Sequence, residues 1–83
     1  MATIKDKEAI ERAMKEVKEH PLQCRYVGKI CIAYIEQFNR YTAMFDSDMT
    51  IAFDSVGYVS NTLYFYRKGD DFPIAHITHK GLT

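Results

Sequence analysis

The residues able to do chemistry are few and scattered. His76-Ile77-Thr78-His79 has an H-x-x-H spacing. On a helix the two rings would share a face and could hold a metal, whereas on a strand an odd separation sends them to opposite faces. Residues 72–79 are expected to form a strand, so no metal site is expected. His79 is then a surface residue, and His76 is half-buried. Cys24 and Cys31 are seven apart with His20 nearby, a grouping that matches no recognised ligand spacing. Small buried thiols serve packing just as well. Asp46/Asp48 and Asp70/Asp71 could work as acid–base pairs or bind Mg²⁺. Both pairs fall at expected turns, where Asp is favoured by its own hydrogen bonding. Gly28, Gly57, Gly69 and Gly81 are isolated, so no phosphate-cradling loop is present. No catalytic residue, metal or cofactor is assigned, and the expectation is a protein that is not an enzyme.

Aromatic residues offer a stronger lead. Six Tyr and five Phe occur in 83 residues. In residues 61–68, NTLYFYRK, strand alternation puts Tyr64 and Tyr66 on one face, next to Arg67 and Lys68. Tyrosine on a sheet face fits a protein interface, where rigid amphipathic rings act as anchors. Beside basic residues it could also stack single-stranded bases. The candidate binding set is Tyr58, Tyr64, Tyr66, Arg67 and Lys68, with Tyr64 and Tyr66 as the expected hot spots.

Charge weighs against the nucleic-acid alternative. Eleven Lys and Arg balance eleven Asp and Glu. Phosphate binding needs a cationic excess somewhere. The balance is also local, because the first 20 residues hold five acids and five bases, interleaved. Hydrophobic residues make up 47% of the chain, too many for a disordered tail. The first 20 residues show no apolar leader, and no apolar run approaches the ~18 residues of a membrane helix. With only two cysteines, a reduced, cytoplasmic protein is expected.

These side chains must be positioned by a single small domain spanning residues 1–83. Ile10, Ala13, Met14 and Val17 recur at helical spacing, and Glu8–Arg12 and Glu11–Lys15 are i,i+4 pairs. The first element is therefore an amphipathic helix, capped by Thr3 or Asp6 and ended by Pro21. Residues 22–45 place Val27, Ile30, Cys31, Tyr34, Phe38, Tyr41 and Phe45 on one helical stripe. A second, central helix is expected there. Ile30, Ile32 and Ile35 allow residues 29–35 to be a buried strand instead.

Met49–Phe53 is a short strand, broken by Asp54, Ser55 and Gly57. Residues 61–68 and 72–79 form a hairpin around Lys68-Gly69-Asp70-Asp71. A two-residue loop would set Phe65 opposite Ile74 and Leu63 opposite His76, which puts His76 on the Leu63 face. Pro73 suits an edge strand. The fold class expected is α+β, with two N-terminal helices on a three-stranded antiparallel sheet, in the order α-α-β-β-β.

Below about 80 residues a core leaves a thin margin of stability. With no disulfide framework or metal, self-association or partner binding is the expected remedy. The function expected is a small non-catalytic protein-binding module. It would act as a homo-oligomer or as a stoichiometric inhibitor or regulator of a protein partner such as a large enzyme or defence complex. Phage and mobile-element products are often of this kind. The alternative is a nucleotide or single-stranded nucleic-acid binder using the sheet aromatics.

Overall fold

Pro21 cannot continue a helix, and the helix ahead of it stops two residues short. The computed structural model describes residues 4–46 and 49–77. Thr3, Asp48, Thr78, His79 and Gly81 lie outside them. Helix α1 runs Ile4–Glu19, with Asp6 in its first turn and Lys18 in its last, both favourable to the helix dipole. Ile10, Ala13 and Val17 are buried, and Met14 packs beside them. The opposite face is charged and includes a Lys7–Glu11 ion pair at 3.4 Å.

The expected second helix is not formed. Residues 22–45 hold three strands: β1 (Arg25–Val27), β2 (Ile30–Ile35) and the first part of β3 (Arg40–Asp46), with a 3-10 turn at Glu36–Phe38. Two features decide against the helix. Gly28 takes a left-handed φ of 60° and reverses the chain between Val27 and Ile30. Asn39 does the same after the 3-10 turn, at φ 52°, and its side-chain oxygen accepts the Tyr34 hydroxyl at 3.2 Å. Between these reversals the β-branched isoleucines favour a pleated strand. The pattern of period two is present: Ile30 and Ile32 are buried while Cys31 and Ala33 are only partly covered.

Strand β4 (Met49–Phe53) forms as expected. The break after it does not. The chain bends at Asp54 and resumes as β5 (Ser55–Val59). Ser60 and Asn61 both have positive φ, 51° and 63°, in a two-residue turn leading to β6 (Thr62–Tyr66). β7 is Ala75–Ile77 and begins three residues later than expected. Among the described residues the result is α+β, with one α-helix, a four-stranded antiparallel sheet β1-β2-β3-β4 and a three-stranded antiparallel sheet β5-β6-β7.

The β6–β7 register differs by one residue from the expected pairing. Phe65 faces Ala75, Tyr64 faces His76 and Leu63 faces Ile77. The connection is longer than a two-residue turn. Asp70 N–H donates to Arg67 O at 3.1 Å, and Ile74 N–H donates to Phe65 O at 2.8 Å, one residue before the β7 ladder begins. Because strand faces alternate, this shift sends Ala75 and Ile77 to the core and His76 to the Tyr64 face.

The two sheets share one core with α1. Phe53 and Phe65 meet edge to face at 5.0 Å, and Phe45 meets Phe65 the same way at 5.3 Å. Ile10, Val17, Ile30, Ile32, Ala43 and Leu63 complete the cluster. Asp54 braces the bend between the sheets. Its N–H donates to Tyr66 O at 2.8 Å, and its Oδ2 accepts the Lys68 N–H at 2.6 Å.

Truncating Phe65 removes both edge contacts and leaves a cavity between the sheets. Phe65→Ala is expected to lower unfolding free energy by about 3–5 kcal/mol in urea titrations. Tyr64→Ala, on the other face of the same strand, is expected to cost under about 1.5 kcal/mol. Equal losses would contradict this division of the faces.

Candidate interaction surface

Alternation along β1–β4 fixes what each sheet face carries. Val27, Ile30, Ile32, Tyr34, Tyr41, Ala43, Ile51 and Phe53 share the face that α1 covers. Arg25 lies at the edge of that face and pairs with Glu16 of the helix at 3.3 Å. The outer face consists of cross-strand rows. One row is Tyr26, Cys31, Met44 and Thr50; the next is Ala33, Thr42 and Ala52; the third is Ile35 and Arg40. Phe38 borders the third row, and with Ile35, Arg40 and Ala52 it lines a shallow hollow.

No described helix covers this outer face, because α1, the single α-helix among the described residues, packs on the other side. Tyr26 is 72% exposed, Phe38 65%, Met44 45% and Ile35 37%. The only ionised side chain in these rows is Arg40, and its Nε lies 4.0 Å from Asp54 Oδ1 at the bend. A soluble antiparallel sheet ordinarily sets polar side chains on its open face. Contiguous exposed apolar residues of this kind mark contact surfaces.

The Cys24–Tyr26–Cys31 corner belongs to the same face. Both cysteines are free thiols, Cys24 exposed and Cys31 partly covered. Burial is the main influence raising the Cys31 thiol pKa above its ordinary value, and the neighbouring Cys24 adds to it. Tyr26 is raised as well, chiefly by the charge Cys31 would carry. Cys31 is therefore a poor thiolate at neutral pH and acts as a small apolar residue. Across the sheet, Tyr41 is raised by burial and then by its neighbour Tyr34, whose ring lies 5.0 Å away.

The residues singled out from sequence are not gathered into one site. Tyr64 and Tyr66 share the outer face of the second sheet, where the His76 ring lies tilted against Tyr64 at 6.0 Å. Tyr66 lies over Gly57, close enough that a Cβ there would sit 3.0 Å from its ring. Tyr58 points to the opposite, core side of that sheet, and its hydroxyl donates to Asn61 Oδ1 at 3.0 Å. Arg67 Nε donates to Ala52 O at 3.0 Å, and the Lys68 backbone N–H is taken by Asp54. Arg67 thus blunts the free edge of β4. Among the described residues, no three His, Cys, Asp or Glu side chains cluster to hold a metal ion. Nor is any described helix long and apolar enough to cross a membrane.

Sequence reasoning missed the outer face because it assigned Tyr26, Cys31, Ala33 and Met44 to a helical segment. The signal was present as the alternating sets 31/33/35 and 40/42/44, which carry one charge between them. Comparison with protein-family models, with curated proteins and with solved structures returned no match.

Thiol labelling tests this corner. Cys24 is expected to react first with a disulfide reagent, and Cys31 at least about tenfold more slowly at neutral pH. Because its pKa is raised, the Cys31 rate should climb with a midpoint above that of free cysteine. A Cys31 profile coincident with free cysteine, or below it, would contradict the burial described.

Proposed function

We propose that this chain is a small non-catalytic protein-binding module whose docking surface is the outer face of β1–β4. The observation that carries the reading is the character of that face. It is a four-stranded apolar surface with one charge at its corner, on a protein whose helix is charged throughout its solvent side. A cytoplasmic role as a homo-oligomer, or as a stoichiometric regulator or inhibitor of a protein partner, fits this surface, since binding there calls for shape and apolar area rather than a reactive group. The Tyr64–Tyr66 face is the weaker candidate for recognising single-stranded nucleic acid. The guanidinium that follows it in sequence, Arg67, is engaged by β4, and the whole chain has no net charge.

The test is capture by the tagged protein from cells that produce it, comparing Met44→Lys with the paired change Tyr64→Ala/Tyr66→Ala. Met44 is exposed, so the lysine is compatible with the fold, which circular dichroism would verify. A partner held by the unaltered chain should bind at least about 30-fold more weakly to Met44→Lys, as expected when a central contact is replaced by a charge. It should bind nearly unchanged to the tyrosine variant. The reverse pattern would move the docking surface to the second sheet.

A further inference from the structure

We infer that the occupant of the outer β1–β4 face is a second copy of this chain, packed sheet against sheet about a two-fold axis along the Ala33–Thr42–Ala52 row. This inference rests on the reading above, that the face is a protein-docking surface, and names the partner.

Three features of the face support a copy of itself. The first is charge. A heterologous partner is selected by opposite charge when the surface offers some, but these rows offer only Arg40, already turned toward Asp54 of its own chain. An uncharged face meets its own copy without like-charge repulsion, which is the requirement of an isologous contact.

The second is shape. The middle row, Ala33–Thr42–Ala52, is made of small side chains, flanked by Met44, Tyr26 and Cys31 on one side and Ile35 and Phe38 on the other. A two-fold axis along the middle row sets small residues against their own copies. It lays Ile35 over Cys31 of the partner subunit and the Arg40 stem over Met44 of the partner subunit. Flank then meets flank, so these two contacts set the sheet separation at about 10 Å, the usual value for packed sheets, and the small middle row keeps side chains from clashing on the axis.

The third is area. Four strands about 4.8 Å apart, with about 3.3 Å of rise per residue, present a patch of roughly 20 by 20 Å. With side-chain relief that gives roughly 500 Å² per copy, so the pair buries about 1,000 Å², the lower bound for a specific interface. The same burial answers the thin margin of a small core, since it adds a second apolar layer without lengthening the chain.

Sedimentation equilibrium of the whole chain at about 10–100 µM should give twice the mass of one chain, the range in which a small apolar interface is populated. Ala33→Glu and Ala33→Lys each place like charges face to face across the axis. Each variant should sediment as a folded monomer with unchanged circular dichroism. Mixing the two should restore the dimer, which a variant that merely misfolds could not do. Cys31 labelling should also speed up in either monomeric variant.

Three outcomes would overturn the inference: an unaltered chain that stays monomeric, a dimer indifferent to both variants, or a mixture that stays monomeric. A monomeric chain that still loses a captured partner on Met44→Lys would remove the self-pairing and leave the docking surface in place. A monomeric chain whose capture ignores Met44→Lys would remove both.

Discussion

Phe65 meets Phe53 and Phe45 edge-on, at 5.0 and 5.3 Å, and this three-ring contact ties the second sheet to the first. A three-stranded meander with strands of three to five residues has little stability of its own. It persists here because one strand, β6, delivers Leu63 and Phe65 into the core already shared by α1 and the four-stranded sheet. The geometry has a local cause. Asp54 ends β4 and bends the chain; its N–H donates to Tyr66 O and its carboxylate accepts the Lys68 N–H, so that β6 ends at the bend, beside the free edge of β4. Arg67 closes the same edge from its side chain.

That arrangement determines where the molecule remains open. One helix of 16 residues can cover one side of one sheet, and α1 covers the side carrying Ile30, Ile32, Ala43 and Phe53. The second sheet curls against the same core rather than over the outer face. The outer face of β1–β4 is left with Tyr26, Met44, Ile35 and Phe38 in contact with solvent. Opposing characters follow: a helix face dense in acids and bases, and a sheet face with a single guanidinium. Charge keeps the first in water, while the second gains from being covered, and the proposed binding role follows from that difference.

How much of this was legible varies by residue. α1 was plain because Ile10, Ala13, Met14 and Val17 admit only one period, and Pro21 marks its end. Residues 22–45 were ambiguous because their apolar residues satisfy two periods at once. Val27, Ile30, Cys31, Tyr34, Phe38, Tyr41 and Phe45 line up at 3.6, while 30/32/34 and 41/43/45 line up at 2. The stripe also assigned inward roles to Cys31 and Phe38, which the sheet turns outward. β5 was hidden by Asp54, Ser55 and Gly57, which look like a loop and instead make a bend, a strand start and a seat for Tyr66. The hairpin was found, but a one-residue error in register moved His76 to the wrong face, as any odd slip must.

The sequence by itself determined the α+β class, the first helix, the local charge neutrality and the absence of any recognised catalytic motif. Each of these is a matter of composition or of a period that only one structure satisfies. Tertiary structure decided which period won in residues 22–45, and with it the identity of the open face. Gly28 and Asn39 can reverse the chain at small cost, but only a helix and a second sheet packing on Ile30, Ile32 and Phe53 make that reversal the favoured choice. Local residues permit both conformations, and the burial that separates them is non-local.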